Sequence, residues 1–470
     1  MSNLKFTVYE KSINKEGRTT VFMIREGDED FLIVQGINPG FEGAVSPEDM
    51  FKAPLNHSNA QALRKLFPFT APSQVLSKER SFGVGDRLGI ASPGHIRLFR
   101  KYDAYPILAQ QSIRELTLTK RTYEDVLDAA TFAVFREGFK KGWGADGDHL
   151  KTPKDIEYAL SLGFTMITLD CSEHIKGNIS DENAPALPPV YAEKYLNKSF
   201  DIGEDTTLRF TEEELKKIVA IYGDAINFAT EMYNKYFKQG KHQADFEISI
   251  DETATPTTPL QHFFVARELI DAGVVFATIA PRFCGEFQKG IDYIGELDQF
   301  EKEIKVHAVI ARHFKYKLSI HSGSDKFNVF PLIGKETRGV FHVKTAGTNW
   351  LEAMRVVASV DPGLYREIHK FAITSFDEAL KFYHVKADLK KINDVDTIED
   401  DNLPLLFDQE DSRQLIHITY GFILSKKNED GSFTFKDRLY KLWRDNEEAY
   451  VKALIKHIGK HLNLLGLKEE

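Results

Sequence analysis

The stretch FEISIDET, Phe246–Thr253, is a short apolar run that stops abruptly on two carboxylates, Asp251 and Glu252. The pattern recurs along the chain. GWGADGDH (Gly142–His149) closes on Asp146, Asp148 and His149. KLSIHSGSDK (Lys317–Lys326) carries His321, and GVFHVKT (Gly339–Thr345) ends in His342 and Lys344. A chain that repeatedly buries a strand and then presents a titratable side chain at its C-terminal end reads as a (β/α)-barrel enzyme, because in that fold the chemistry sits where strands give way to loops.

Working outward from Phe246, the rhythm of strand, loop and helix gives eight strands. LGIASPGHI (Leu88–Ile96) reads as the first and YPILAQQSI (Tyr105–Ile113) as the second. GWGADGDH is the third, FTMITLDCS (Phe164–Ser172) the fourth and FEISIDET the fifth. VVFATIAPRF (Val274–Phe283) is the sixth, KLSIHSG the seventh and GVFHVKT the eighth. These runs are continuous rather than alternating, as expected of strands buried on both faces. Helices fall between most of them. Thr122, with Glu124 and Asp125 in the first turn, caps one; Thr152 followed by Pro153 opens the next; Thr211 starts a long one. Further helices are predicted through His262–Ala272, over Leu297–Phe314 and from about Thr348.

The expected architecture is α/β: a (β/α)8 TIM-like barrel over residues 81–360, with an irregular insertion near 176–240 that includes the Pro-rich DENAPALPPVY. Residues 1–80, where KFTVYEKS, TTVFMIRE and DFLIVQGI read as short antiparallel strands, form a small N-terminal β-rich module. Residues 361–470 form a C-terminal helical extension. A barrel takes roughly 250 residues, so a chain of 470 has room for both flanking parts.

Composition bounds the function. With 42% hydrophobic and 28% charged residues the chain is an ordinary globular protein. Its net charge of −9 argues against a nucleic-acid partner, but a few local cations can still hold an anionic small molecule. The two cysteines, Cys171 and Cys284, make no disulfide framework and read as buried thiols. No apolar run reaches the ~20 residues needed to span a bilayer, and MSNLKFTVYEK carries no signal-like apolar stretch. A cytoplasmic setting is expected. Oligomeric state is left open.

Three histidines at strand ends, His149, His321 and His342, are candidates to converge on a divalent cation in the barrel mouth, with positions left for substrate. The bland alternative is three unrelated core histidines. Imidazoles suit several first-row ions, so Zn, Mn, Ni, Co and Fe all remain open. Asp148 and Glu252 are the candidate proton carriers; either could equally be a cap or a salt-bridge partner, and Asp148 could orient a ligand rather than carry a proton. Lys344, Lys326 and Arg282 are candidate anion-binding cations, with Ser322 in the small-residue loop after the seventh strand. FGVGDRLG near Gly83 lacks the glycine spacing of a dinucleotide site.

GWGADGDHLKTPKDI, FEISIDETATPTTP, KLSIHSGSDKF and FHVKTAGTNWLEA, in that order, resemble the tagaturonate/fructuronate epimerase family, which is related to the hexulose 4-epimerases. The resemblance spans most of the chain from about Phe82. It implies a divalent-metal-dependent epimerase of ketouronic acids in hexuronate breakdown, with the acid and metal histidine of the GDH segment at Asp148 and His149. It also implies a second acid/base residue at Glu252 and further metal histidines at His321 and His342. Retro-aldol chemistry would follow. The alternatives are a metal-dependent aldose–ketose isomerase or a class II aldolase acting on a sugar or sugar acid; a Schiff-base aldolase using Lys344 and a non-catalytic carbohydrate-binding barrel are more distant ones.

Overall fold

The computed structural model describes residues 6–45, 50–177, 179 and 184–470. The first residues of the N-terminal segment (1–5) and residues 181–183 of the Pro-rich stretch lie outside them.

Eight parallel strands close into a barrel in chain order. They are Arg80–Gly83, Tyr105–Ser112, Gly144–Leu150, Met166–Asp170, Asp245–Ile250, Thr278–Pro281, Lys317–Ile320 and Phe341–Lys344, numbered here strands 1 to 8. Strand 8 pairs back onto strand 1, with His342 opposite Ser81 and Lys344 opposite Gly83. Helix starts follow the capping chemistry. Thr122 and Thr211 each form a reciprocal capping box, with Asp125 and Glu214 respectively. Thr152 accepts the Asp155 N–H ahead of Pro153.

One strand assignment is corrected. Leu88–Ile96 is not the first strand: Ser92–Phe99 is a helix, and strand 1 is the earlier run Arg80–Gly83. The Asp86 carboxylate accepts the N–H groups of Leu88, Gly89 and Ala91, a turn that winds the chain into the helix. Pro93, in the helix's first turn, needs no hydrogen-bond partner there. The last residue of strand 1, Gly83, lies under the Gln110 side chain of strand 2: a Cβ there would meet Gln110 Oε1 at 1.8 Å, so that side chain would have to move.

The flanking parts pack onto the barrel. The N-terminal antiparallel sheet, centred on Thr19–Glu26 and Glu29–Gly36, is followed by a helix, His57–Leu66, that the strand pattern did not suggest. Its core includes Val21, Leu32 and Phe67 together with Phe132 and Phe135 from a barrel helix. The C-terminal helices build a second core around Trp350, Tyr365, Tyr420 and Trp443. Their linker Phe382–His384 reaches the barrel mouth and forms part of the cavity wall there. Among the described residues no helix is long and apolar enough to cross a membrane.

The barrel interior is unusual in chemistry. Such interiors are normally filled by bulky branched residues. Here Ser81, Asp146, Thr168, Glu247, Thr278, Lys317, Ser319 and His342 are all buried on the strands. Burying polar groups is costly unless they are paired, and most are: Lys317 Nζ donates to the Lys78 carbonyl at 2.6 Å and to Ser81 Oγ at 2.9 Å. A polar shaft thus runs up to the C-terminal ends of the strands.

Candidate active site

The strand ends open into a cavity of about 720 Å³. Asp148, His149, Asp251, Glu252, Arg282, His321, Ser322 and Lys344 all line it. Strand 3 supplies two of these from consecutive positions, which on a regular strand would point to opposite faces. The backbone of His149 is left-handed, φ +56°. That breaks the alternation and brings Asp148 and His149 together, with Nδ1 2.7 Å from Asp148 Oδ1. A left-handed backbone at a residue other than glycine is strained, and the register shift against strand 4, between the Gly147 and Leu150 pairings, falls at the same place.

Two imidazoles are held in the same way. His149 keeps Nδ1 on Asp148 and presents Nε2 towards Asp251, 3.9 Å from Oδ1. His321 keeps Nε2 on Glu247 at 2.8 Å and presents Nδ1 to the same Asp251 oxygen at 3.1 Å. Each ring therefore has a carboxylate behind it and a free face towards Asp251. His149, Asp251 and His321 form a group able to hold a metal ion, their ligand atoms all within 4.8 Å of one another. Donors about 2.0–2.2 Å from one ion stand roughly 3–3.5 Å apart; the His321–Asp251 spacing of 3.1 Å already lies in that range, and His149 would have to close in to share the ion.

Lys344 ties the carboxylates together from below. Its Nζ lies 2.7 Å from Asp146 Oδ2 and 3.5 Å from Glu247 Oε1, donates to Thr168 Oγ1 at 2.7 Å, and makes a close ion pair with Asp148. Thr278 Oγ1 donates to Glu247 at 2.6 Å. Burial alone would raise all of these carboxyls. For Asp146 burial wins, and the group is pushed up to about 6. For Asp148, Lys344 and His149 outweigh it and hold the carboxyl well below its usual range; for Glu247, Lys344 and His321 do the same. Replacing Lys344 with Met would leave these carboxylates buried without their shared cation. We expect a loss of roughly 3–5 kcal/mol in urea unfolding at pH 8. At pH 5 the loss should be smaller, because the carboxyls then take up protons.

The expected residues divide by depth. His342 stands outside the three-ligand group, lower in the barrel. Its Nδ1 faces Ser81 Oγ at 3.0 Å, its Nε2 is buried without a hydrogen-bond partner among the described residues, and burial pushes it down to about 3. Lys326 is also away from the cavity lining. Its ammonium is enclosed by the carbonyls of Gln288, Ile291 and Ser324, an arrangement that braces a loop and leaves no side for a substrate. Arg282 reaches the cavity but turns Nη1 onto the Thr253 carbonyl. Glu252 is exposed at the lip and makes no ion pair among the described residues.

Sequence reasoning gave no role to Glu247, which sits mid-strand, or to Lys289, which lies in a loop after strand 6. A lone carboxylate inside FEISI was the available signal for Glu247; Lys289 had none. A second group with ligand types, Asp325, His457 and His461, lies behind the loop after strand 7. There both His461 nitrogens are engaged, one by the Asp325 N–H at 3.0 Å and the other on the His457 carbonyl at 2.8 Å. Arg413 holds Asp325 at 2.7 Å. This is a clasp between the last helix and the barrel.

Fold and site together define a (β/α)8-barrel enzyme whose ionisable centre occupies the C-terminal mouth. Comparison with known proteins narrows this. The profile of the tagaturonate epimerase family (UxaE) matches residues 9–465. The tagaturonate/fructuronate epimerase of Thermotoga maritima is 43% identical, over 98% of this chain and 97% of its own length. The native crystal structure of the fructuronate-tagaturonate epimerase of Cohnella laeviribosi superposes with a TM-score of 0.96, at 47% identity over 99% of this chain and 97% of that one. A glycerol complex of the same enzyme gives 0.95, at 48% identity over 98% and 97%. The chain belongs to the tagaturonate epimerase family.

Proposed function

We propose that this chain interconverts D-tagaturonate and D-fructuronate by breaking and remaking a carbon–carbon bond, with a divalent cation held by His149, Asp251 and His321. The observation that carries the reading is the matched orientation of the two imidazoles, each backed by a carboxylate and each facing Asp251. Carboxylate–histidine pairs of this kind fix the tautomer and raise the basicity of a metal ligand.

The two sugar acids differ at a hydroxyl-bearing carbon one bond beyond the carbon next to the ketone. The carbonyl does not acidify its C–H, so enolisation cannot invert it. Removing the hydroxyl proton lets the adjacent carbon–carbon bond break. The hydroxyl-bearing carbon becomes an aldehyde, and the electron pair passes to the ketone-side fragment as an enediolate. Rotation of the aldehyde, re-addition to its other face and return of the proton complete the inversion. When bound, the cation supplies Lewis-acid stabilisation of that developing negative charge.

The chain's own residues supply the rest. Glu252, unpaired at the cavity lip, has the freedom to take and return the hydroxyl proton. Asp148, held ionised between Lys344 and His149, is suited to orienting His149. Lys344 keeps Asp148 and Glu247, the two orienting carboxylates, in place. Two imidazoles and a carboxylate accept Zn, Mn, Ni, Co or Fe.

The test is turnover of D-tagaturonate in deuterium oxide, followed by product analysis. The expected product is D-fructuronate with no deuterium on carbon at the inverted centre. Deuterium there would overturn the bond-cleavage route. Release of two stable fragments would point to an aldolase, and a shift of the carbonyl to the chain end to an aldose–ketose isomerase.

A further inference from the structure

We propose that Lys289 and Arg114 form the subsite that takes the carboxylate of the sugar acid, and thereby set the preference for a uronate over a neutral ketohexose. This rests on the epimerase reading above and names the recognition of its substrate.

Most cations around the cavity are already committed. Lys344 serves the carboxylates inside the barrel. Arg87 is buried and grips Glu115 through Nε and Nη2, both at 2.7 Å. Lys151 is shared between Asp170 at 3.5 Å and Glu173 at 3.4 Å. Arg282 is turned onto a backbone carbonyl.

Lys289 and Arg114 differ from all of these. Both line the cavity, and among the described residues neither makes an ion pair. Lys289 Nζ donates to the neutral Ser322 Oγ at 3.1 Å. Arg114, at the exposed lip, donates to the Phe382 carbonyl at 3.3 Å, with its guanidinium 4.8 Å from the centre of the Tyr383 ring. The two cations feel one another: burial, and then the Arg114 charge, lower the Lys289 ammonium. Glu115 and Glu252 act on the Lys289 ammonium without forming a direct ion pair among the described residues; a partly buried ammonium is unfavourable without a close partner, and a carboxylate from the substrate would supply one.

Placement agrees with chemistry. Ser322 directly follows His321 and is itself held in a left-handed conformation, φ +50°. An anion on Lys289 therefore stands next to the proposed cation site. Glu252, the proposed proton carrier, lines the same cavity as Lys289 and Arg114. A planar guanidinium beside a point-like ammonium suits a carboxylate, which can take two hydrogen bonds from one and a third from the other.

Steady-state kinetics on Lys289→Met, Lys289→Arg and Arg114→Gln test this, starting from wild-type protein shown to turn over D-tagaturonate. If wild type fails that control, the epimerase reading itself falls. Given turnover, Lys289→Met should raise KM for D-tagaturonate about tenfold to a hundredfold with a much smaller change in kcat, the signature of lost uniform binding. The ratio of kcat/KM for D-tagaturonate over D-tagatose should fall by a similar factor, and Lys289→Arg should recover most of the loss. An unchanged KM in a folded Lys289→Met protein, or a fall in kcat alone, would overturn the proposal. Should Lys289→Met not fold, Arg114→Gln at the exposed lip decides by the same readouts.

Discussion

Stripping divalent ions from the protein by chelation and dialysis should lower D-tagaturonate turnover roughly a thousandfold, since a Lewis acid at the developing charge contributes several kcal/mol to the transition state. Re-addition of one first-row ion should restore it. His321→Ala removes a ligand and should show a similar loss that ordinary ion concentrations do not repair. The pH dependence has a definite sign. Burial alone would lower both imidazoles, but Asp148 lifts His149 well above the usual histidine value, and Asp251 and Glu247 lift His321. Without an ion these rings keep their protons to higher pH than an ordinary histidine does, and a cation must displace them. Apparent ion affinity should therefore climb as pH rises from about 6.5, by up to about tenfold per unit for each proton displaced. Stability tells the same story in reverse. In ion-free protein the raised imidazoles contribute stability that is complete below about 6.5 and lost as pH rises through their folded values. The gain in melting temperature on adding ion should accordingly grow with pH. Full turnover after exhaustive chelation, with metal content checked by elemental analysis, would refute the cation's role.

The barrel was legible because strands buried on both faces leave continuous apolar runs that survive in the sequence. Strand 1 was misplaced for the opposite reason. Arg80–Gly83 is only four residues long and half polar, while the more apolar Leu88–Ile96 owes its conformation to the Asp86 turn and Pro93, which act locally. The strand-end rule brought Asp148, His149, Glu252, His321, Ser322, Arg282 and Lys344 to the cavity, because the loops begin where hydrophobicity stops. It could not resolve depth. His342 and Lys344 share a face of strand 8 at a spacing of two, yet one lies at the cavity and the other below it. Asp251 was visible as a strand-end carboxylate, but its place between two imidazoles depends on the kink at His149, which no pattern of residue types encodes. Lys326 shows the reverse failure: its enclosure by three carbonyls comes from loop folding alone.

Glu252→Gln should cost roughly a hundredfold or more in kcat, with little change in KM or in bound ion, because it removes a proton carrier and nothing structural. Glu252 is exposed and makes no ion pair among the described residues, so the variant should fold as wild type does. Asp148→Asn should behave differently, and the contrast assigns the two carboxylates. The amide preserves shape but not the charge that holds His149 and Lys344. It should weaken ion affinity by about tenfold to a hundredfold, as loss of a ligand's orienting partner does, and excess ion should recover much of the activity. If Asp148→Asn instead binds its ion normally and is inactive, then Asp148 moves a proton itself. If Glu252→Gln keeps wild-type kcat, the proton must travel by another group on the cavity wall, and Asp170, buried at the end of strand 4 and on the same lining, would be the next to replace. Measuring kcat, KM and metal content together on both variants separates a group that carries the proton from one that aims the ligand.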